Sequence, residues 1–578
     1  MHRRQYEPRA HVLPAAPLAR EAALSTGASD DVGGAAQPSA RPVLAEPITI
    51  TLSASCSLSA RNADLIAAGG ARLTLGEERW ASIEAAHRRL GRVIDEARTV
   101  YGITTGFGPL ANRALAPGQA VGLQHGLVAH LATGIGPAFG WREARLILLA
   151  RLLSIAAGYS GASPVLVRLL LTVLDSDLAP SIPTRGTVGA SGDLTPLAHM
   201  ALCLMGRASF IDADGEAVAP AEAFARLRLS PLTLEARDGL ALVNGTSAMT
   251  GLSVRNGLRA ARLLAWSEAL SHGMAELQRA RAEHWDQVFA VVRPHPGQQG
   301  VTRRLAALRA DGARLALDPA AAIPGGAHRA VAAETEGPDD EAMQDAYSLR
   351  CVPQILGAAA DAFAFHDCVV ERELNAVTDN PIFPEGPTPA LHGGNFMGSH
   401  VAIAADLLAN ATLTVAQLVE RQTARLTDER LNRGLPPFLQ RGTPGLNSGL
   451  MGAQVTATAL LAEMRTRAVP AAAQSISTNA ANQDVVSMGT IAARNAALQL
   501  DDTARILAIL ALSVAQGIDV IDARGDAHGL SAASRAIHGL IRTESAPLLE
   551  DRPLAGDIVR IASLIEGAPP PAEPYRDC

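Results

Sequence analysis

Gly186-Thr-Val-Gly-Ala-Ser-Gly-Asp-Leu-Thr-Pro-Leu-Ala-His-Met200 is the stretch around which the rest of the chain is organised. At its centre Ala190-Ser191-Gly192 is followed at once by Asp193. Because glycine has no Cβ, its nitrogen can approach a neighbouring carbonyl group more closely than that of any other residue. If the folded backbone presses the Gly192 nitrogen against the Ala190 carbonyl carbon, a five-membered ring can close. Loss of one water molecule from the ring and of a second as the Ser191 hydroxyl would leave an electrophilic methylene group. The product is 4-methylideneimidazol-5-one (MIO).

The same residues have a purely structural interpretation. Ser191 or Asp193 could be the N-cap of a helix from Leu194 to Met205, entered through a glycine-rich turn. An isolated Ala-Ser-Gly tripeptide favours this interpretation, so the choice depends on the motifs elsewhere in the chain.

Composition limits the class of protein. Aromatic residues make up 3% of the 578 residues, and Ala, Leu and Arg are abundant, which predicts packed helices rather than sheets. The formal net charge of −7 indicates no basic surface for nucleic acid. All 50 basic residues are arginine. Because a pyridoxal-phosphate enzyme needs a lysine Schiff base and a P-loop needs its lysine, both mechanisms are excluded.

Cysteine usage and hydropathy indicate a cytoplasmic protein. The 5 cysteines are scattered and have no Cys-x-x-Cys spacing, so we expect reduced thiols and no zinc site. His392 and His400 have no acidic partner at a metal-binding spacing, and we expect no metal. The most apolar run, from Ile506 to Ala515, is too short to span a bilayer, so we expect no membrane segment.

Further motifs carry a family resemblance. Tyr101-Gly-Ile-Thr-Thr-Gly-Phe-Gly108 is typical of a mobile surface loop, and Leu242-Val-Asn-Gly-Thr-Ser247 of a turn before a long helix. With Gly186–Met200, they resemble the aromatic amino acid ammonia-lyase family, which includes histidine, phenylalanine and tyrosine ammonia-lyases. The resemblance runs from about Ile48 to Leu564. It implies a mainly α fold, a long-helix bundle of the histidine ammonia-lyase type with a smaller N-terminal α+β part.

The chain divides into two predicted domains and two tails. Residues 1–46 are rich in Ala, Pro, Gly and Ser without an apolar period, which predicts a disordered tail. Residues 47–235 would form an N-terminal domain with the lid loop and the prosthetic-group segment, and 236–567 the long-helix bundle. Residues 568–578 are Pro-rich and predict a loose tail. Ile48–Leu52 alternates in polarity and predicts a short strand.

The resemblance assigns catalytic roles. It implies that Ala190–Gly192 forms MIO and that Asp193 promotes ring closure. Tyr101, which by itself could merely pack its loop, becomes the essential tyrosine of a lid and our candidate for the base that removes the β-proton. Residues placed beside the prosthetic group and the substrate follow from the same resemblance: Asn244, Asn380 and Phe396.

A carboxylate clamp is predicted around Arg350. In Gln344-Asp-Ala-Tyr-Ser-Leu-Arg350 the spacing of three places Tyr347 and Arg350 on one helix face. An arginine fork matches a carboxylate bidentately, and every amino-acid substrate carries a carboxylate, although a structural ion pair would use the same side chain. The resemblance makes Arg350 the carboxylate clamp, with Tyr347 and Gln344 beside the reacting carbons.

The pair His130-Leu131 bears on the substrate. A lone histidine beside leucines could be a core residue, but in the family this pair lines the pocket for the substrate ring. Histidine-specific members resemble Ser-His here, phenylalanine-specific ones Phe-Leu and tyrosine-specific ones His-Leu. Histidine can bond a phenol hydroxyl that phenylalanine would leave unpaired. Gln483 stands where histidine-specific enzymes carry a glutamate, and Asn479 and Gln483 suit a phenol or phenyl ring.

These residues together predict a tyrosine ammonia-lyase, a carbon–nitrogen lyase that converts L-tyrosine, a small aromatic amino acid, to trans-p-coumarate and ammonia. Alternatives on the same scaffold are a tyrosine 2,3-aminomutase and a phenylalanine or histidine ammonia-lyase. A homologue that had lost the chemistry would be expected to lack Tyr101, Ser191 or Arg350, and all three are present. Long helices that are apolar almost all round predict a homo-oligomer, and the resemblance implies a homotetramer with active sites shared between subunits.

Overall fold

The computed structural model describes residues 48–53, 56–116, 118–235, 237–315 and 344–569. The predicted N-terminal tail, 1–46, and most of the predicted C-terminal tail, 568–578, lie outside the described residues. Within those ranges helices predominate and the strands are few and short, so the predicted fold class is confirmed.

Short strands occur in the N-terminal part of the described chain. The predicted strand β1 (Ile48–Leu52) pairs in parallel with β2 (Ala71–Leu75), with helix α1 (Ala60–Ala67) between them. The other two sheets are antiparallel. They consist of β3 (Ile135–Ala138) with β5 (Pro183–Arg185), and of β4 (Ala179–Pro180) with β6 (Phe210–Ile211) and β7 (Ala217–Val218).

Helices form most of the described structure, and the longest has 35 residues. After α1 they are, in chain order, α2 (Glu77–Asp95), α3 (Ala120–Leu131), α4 (Trp141–Ala156), α5 (Pro164–Asp175), α6 (Leu194–Leu204), α7 (Pro220–Leu227), α8 (Asp238–Val243), α9 (Ser247–Leu277), α10 (Gln287–Val292), α11 (Pro296–Arg309), α12 (Tyr347–Arg350), α13 (Val352–Leu374), α14 (Ser399–Thr427), α15 (Met451–Thr466), α16 (Gly489–Ala523), α17 (Ala532–Glu544) and α18 (Ala555–Gly567).

Long helices form the centre of the bundle. α16 packs against α9 and α14, and α13 packs against α14 and α9. On α16 the side chains of residues 506–511 have no exposed surface, although they point to every side of the helix. A helix that is apolar all round must be enclosed by other helices, and the neighbours of α16 provide that enclosure.

By length and composition alone, α14 and α16 are the two helices among the described residues that could cross a membrane. In the apolar windows of these helices, 61% and 83% of the residues are buried inside the chain. Their apolar surface is therefore covered largely by neighbouring helices.

Apolar side chains form two large cores. One is built mainly from residues between Leu52 and Val254, and the other from residues between Ala260 and Ile565. α9 contributes to both cores, so one continuous helix joins them. The predicted domain boundary between 235 and 236 stays a prediction.

The starts of α6, α9 and α16 meet at one place in the fold. The carboxylate of Asp193, just before α6, accepts the N–H of Met249 on α9 at 2.8 Å and the hydroxyl of Thr490 on α16. The N-terminus of a helix carries about half a positive charge. The bundle therefore directs the positive ends of three helix dipoles toward the Ala190–Gly192 segment.

Candidate active site

The Ala190–Gly192 turn is held against the backbone of Gly245. The Gly245 N–H donates to the Ser191 carbonyl oxygen at 3.3 Å, and the Asp193 N–H donates to the Gly245 carbonyl oxygen at 2.7 Å. Gly192 has a φ of +72°, and a Cβ at this position would lie 2.1 Å from the Gly245 oxygen. Only glycine fits there, and glycine is also what ring closure requires. The backbone therefore fits the predicted prosthetic group.

The capping interpretation of this segment is right about position, because α6 begins directly after Asp193, but it does not describe the contacts of the side chain. Asp193 occupies the N-cap position of α6, but no side-chain hydrogen bond caps the helix. The Asp193 carboxylate is instead occupied by Met249 and Thr490 from two other helices. The Asp193 side chain therefore joins α9 and α16 to the start of α6 instead of capping α6.

Burial governs the charge of Asp193. The residue has no exposed surface, and the resulting desolvation raises the pKa of its carboxyl to about 6, although hydrogen bonds from Thr490 and Met249 act in the opposite direction. A carboxyl with such a pKa can take up and release a proton near neutral pH. That property suits a residue that promotes ring closure and water loss.

A cleft of about 830 Å³ opens in front of the turn, a volume within the range of small-molecule sites. Most of the predicted site residues line it, and they come from segments far apart in the sequence: Tyr101, His130, Leu131, Ala190, Ser191, Asn244, Asn380, Phe396, Asn479 and Gln483. From Ser191 the chain continues into the buried interior through Gly192 and Asp193.

Tyr101 begins the predicted lid loop and lines the cleft. Its phenolic oxygen accepts the N–H of Gly108 at 3.0 Å, and its ring lies edge-on to that of Phe107 at a centroid distance of 6.0 Å. Both partners belong to the loop itself. The loop is therefore a self-packed segment that presents the phenol to the cleft.

His130 and Gln483 supply polar groups to the cleft. Nδ1 of His130 lies 2.9 Å from the Gly126 carbonyl oxygen. Because a carbonyl only accepts, Nδ1 is the donor in this contact, and in this tautomer Nε2 is an acceptor. Oε1 of Gln483 accepts the Thr478 hydroxyl at 3.0 Å, and Nε2 of Gln483 lies 3.4 Å from Oγ of Ser191.

Asn244 and Asn380 are joined in the wall of the cleft. Nδ2 of Asn244 donates to the Asn380 carbonyl oxygen at 2.7 Å, and Oδ1 of Asn380 accepts the Gly393 N–H at 2.7 Å. Oδ1 of Asn244 is buried and has no hydrogen-bond partner among the described residues. An unsatisfied buried acceptor costs about 1–3 kcal/mol. A substrate that donates an N–H group to this oxygen would remove that penalty.

A single chain does not bring Gln344, Tyr347 and Arg350 to the cleft. The Arg350 guanidinium lies 4.9 Å from the centre of the Tyr347 ring, and its Nη1 donates to Oε1 of Gln344 at 2.6 Å. The Tyr347 side chain is 69% exposed. These residues do not line the cleft of their own chain, and the prediction that they surround the substrate stays a prediction.

The long helices explain this separation. Gln422, near the end of α14, donates to the Ser348 carbonyl oxygen of α12, whereas Gly398, just before α14, packs against Met249 at the site. With a rise of about 1.5 Å per residue, α12 lies about 35 Å from the turn along α14. The clamp and the cleft therefore lie near opposite ends of the bundle.

Some residues that hold the site were missed in the sequence. Gly245 lies inside the Asn-Gly-Thr element that drew attention to Asn244, and the Asn-Gly pair is a turn signal that could have singled it out. In the structure its φ is +139°. Thr490 and Arg151, whose Nη1 donates to the Asn244 carbonyl oxygen, carry no local signal, because one begins a long helix and the other is an arginine within a helix. Their roles follow only from the tertiary structure.

Side chains that commonly bind metal ions do not cluster in the part of the chain that the structure describes. No group of three or more His, Cys, Asp or Glu side chains there could hold a metal ion.

Comparisons with known proteins agree with this geometry. Residues 58–543 match the family model for aromatic amino acid lyases. The tyrosine ammonia-lyase of Cereibacter sphaeroides is 54% identical over 509 residues, which cover 88% of this chain and 96% of that protein. The MIO-dependent tyrosine 2,3-aminomutase of Streptomyces globisporus is 38% identical over 472 residues, covering 81% and 85% respectively. A crystal structure of tyrosine aminomutase from that organism superimposes with a TM-score of 0.82 at 34% identity, covering 89% of this chain and 97% of the other.

Gly192→Ala should prevent ring formation. The added Cβ would lie 2.1 Å from the Gly245 oxygen, so the turn must open. We expect intact-mass measurement to show wild-type protein lighter than the encoded polypeptide by two water molecules and the variant at full mass. Gly126→Ala is the control, because Gly126 lines the cleft with open space around its Cβ position, and it should keep the mass deficit. A wild-type deficit in Gly192→Ala would contradict the prediction.

Asp193→Asn should change how stability depends on pH. The folded-state pKa of about 6 lies above the unfolded value of about 3.9. The stability contributed by the Asp193 proton is therefore present below about pH 4 and is lost as the pH rises through about 6. Since asparagine has no charge to desolvate, the variant should gain on the order of 2–3 kcal/mol over its parent on going from pH 4 to pH 8.

The measurement is denaturant unfolding at both pH values, comparing Ser191→Ala with Ser191→Ala/Asp193→Asn. Neither protein can form the ring, so the comparison isolates the carboxyl group. A difference in stability that does not change with pH would refute the assignment of the raised pKa.

Proposed function

The chain belongs to the aromatic amino acid lyase family, and on this basis we propose that it is a tyrosine ammonia-lyase, which eliminates ammonia from L-tyrosine to give trans-p-coumarate. The observation that carries the proposal is a single cleft lined by Tyr101, His130 and Ser191. The reaction needs an electrophile for the amine, a base for the β-hydrogen and a polar partner for the phenol. These three residues supply one each.

The electrophile in this proposal is MIO formed from Ala190–Gly192, and a relative that is 38% identical is named MIO-dependent. When present, the group supplies a carbon that binds the substrate amine and makes it a better leaving group. The protein prepares the place for it: Gly245 keeps the turn closed, Asp193 can exchange a proton, and three helix N-termini favour negative charge there.

Tyr101 is the proposed base. Its phenolic oxygen removes the β-hydrogen, which is barely acidic, while the amine is held at the turn. The N–H that Gly108 donates to this oxygen at 3.0 Å stabilises it when it is ionised. The loop that carries Tyr101 also covers the cleft and shields the reaction from water.

His130 and Gln483 favour tyrosine over the other aromatic substrates. The free acceptor Nε2 of His130 can receive the phenol hydroxyl of tyrosine, for which phenylalanine has no counterpart. Gln483 is neutral and holds the Thr478 hydroxyl, so it offers no charge to an imidazolium ring. These two side chains place phenylalanine and histidine below tyrosine as substrates.

The homotetramer with shared sites remains part of the proposal. Arg350, Tyr347 and Gln344 lie about 35 Å from the turn of their own chain, yet Tyr347 is 69% exposed. Delivered from another subunit, the Arg350 guanidinium would bind the substrate carboxylate bidentately. A fully active monomer in light scattering would contradict this arrangement.

A tyrosine 2,3-aminomutase is the second candidate. The crystal structure with a TM-score of 0.82 is of such an enzyme, and its reaction would start with the same removal of the amine and the β-hydrogen. The outcome differs in whether ammonia adds back at the β-carbon before the lid opens.

The test is to incubate the purified protein separately with tyrosine, phenylalanine and histidine. We expect the absorbance of the product to develop faster with tyrosine, which gives p-coumarate, than with phenylalanine or histidine. Chromatography of the tyrosine reaction should find no β-tyrosine. Tyr101→Phe is the matched variant, which should lose about 100-fold or more in turnover while keeping the mass deficit of two water molecules. β-Tyrosine as the main product would establish the aminomutase instead, and full turnover by Tyr101→Phe would remove Tyr101 from the mechanism.

His130→Phe should exchange the substrate preference. Without a partner for the phenol hydroxyl, kcat/KM for tyrosine should fall by about 100-fold, and that for phenylalanine should rise. Steady-state rates on both substrates measure the change, with Leu123→Met, another cleft position, as a control for disturbance of the cleft. An unchanged ratio would show that His130 does not read the hydroxyl.

A further inference from the structure

Arg151 is a fully buried cation behind the Ala190–Gly192 turn. It lies on α4, has no exposed surface, and does not line the cleft. Its Nη1 donates to the Asn244 carbonyl oxygen, while Nε and Nη2 have no hydrogen-bond partner among the described residues. Burial lowers the pKa of the guanidinium to about 10, so it stays charged at neutral pH. An incompletely paired buried charge is unfavourable for stability, and stability alone does not account for it.

The charged groups around Arg151 come from several parts of the chain. The carboxylates of Asp379 and Asp193 favour its charge, and the Arg237 guanidinium opposes it. Asp379 is itself bound by Nη2 of Arg237 at 2.8 Å, so it is shared between the two arginines. The hydrogen bond that Arg151 makes is to the backbone carbonyl oxygen of Asn244.

That backbone segment is fixed on both sides. A Cβ at Gly245 would lie 2.2 Å from Nη1 of Arg151, so the guanidinium is in direct contact with the glycine. On its other side, the Gly245 carbonyl oxygen accepts the Asp193 N–H at 2.7 Å and lies against Gly192. The contacts therefore run without a gap from Arg151 through Gly245 to Gly192, the residue whose nitrogen must close the ring.

Arg145 shows what burial alone requires. It lies on the same helix, is 1% exposed, and burial also lowers its pKa to about 10. Its guanidinium donates to carbonyl oxygens that belong to the N-terminal part of the chain and not to the cleft: Ala67, Leu174, Ser176 and Leu178. Arg151 differs in two respects: its Nε and Nη2 have no hydrogen-bond partner among the described residues, and its guanidinium contacts Asn244–Gly245.

We propose that Arg151 is a positioning residue for formation of the electrophile: it holds Asn244–Gly245 against Gly192, so that the turn stays closed while the ring forms. This inference rests on the proposed function, because it requires MIO. Without the guanidinium, the Asn244 carbonyl would lose its donor and Gly245 the surface behind it. Since a displacement of about 1 Å between reacting groups can cost about 100-fold in rate, a small shift is enough.

The covalent change that this contact supports is balanced within the tripeptide. The Gly192 nitrogen bonds to the Ala190 carbonyl carbon, and the carbonyl oxygen leaves as water with the amide protons of Gly192 and Ser191. The second water consists of the Ser191 hydroxyl and the Ser191 α-proton. No oxidant or other reactant is needed, and Arg151 forms no bond in either step.

The experiment compares Arg151→Met with Arg145→Met. Both remove a buried charge from α4 and keep a long side chain. Thermal midpoints and circular dichroism report folding, and intact mass at fixed times after synthesis reports the fraction of chains that have lost two water molecules. We expect Arg151→Met to form the ring at least about tenfold more slowly than wild type, and Arg145→Met to match wild type whatever its thermal midpoint.

Each outcome decides the question. Wild-type mass loss in Arg151→Met, or equal slowing in both variants, would overturn the inference while leaving the proposed function intact. Full encoded mass in the wild type would overturn the proposed electrophile and this inference with it. Should Arg151→Met fail to fold, Arg151→Lys, which keeps the charge but not the planar fork, is expected to fold and to form the ring more slowly, and ring formation at the wild-type rate would overturn the inference.

Discussion

The buried carboxylate of Asp193 is the contact on which the rest of the site depends. It joins Met249 at the start of α9 to Thr490 at the start of α16 and itself precedes α6. Desolvation opposes the charge of this group, and the hydrogen bonds and helix N-termini around it favour that charge. These contacts hold the starts of α6, α9 and α16 around the Ala190–Gly192 turn. They also place beside the turn a carboxyl group that can exchange a proton. The geometry of the cleft follows from this junction.

The sequence predicts the parts of the site that depend on local motifs. Tyr101 and Ser191 stand in glycine-rich stretches that break the helical pattern, and His130 stands in a recognisable His-Leu pair on α3. The structure places all three at one cleft. Arg151 and Thr490 could not be found in this way, because nothing in the neighbouring residues distinguishes a helix arginine or threonine that reaches the site from one that does not. Such contacts depend on how segments distant in sequence pack together.

The fold was predictable for a related reason. A composition poor in aromatic residues and long apolar stretches such as that in α16 are enough to indicate a helical bundle, since such helices must be enclosed. The position of α12 was not predictable, because its distance from the cleft is set by the length of α14 and not by its own sequence. The resemblance assigns Arg350 to the substrate, and because Arg350 does not line the cleft of its own chain, this contact would have to come from another subunit.

The contacts of Asp193 also determine when, during synthesis of the chain, the turn can take its final form. Its partners stand at Met249 and Thr490, so the turn cannot take its final form until the ribosome has made and released most of the 578 residues. The proposed reactive carbon, which depends on this turn, would therefore be absent from the nascent chain. During synthesis, nucleophiles would meet only an unreacted Ala-Ser-Gly, and the proposed group would form once the segment is already enclosed.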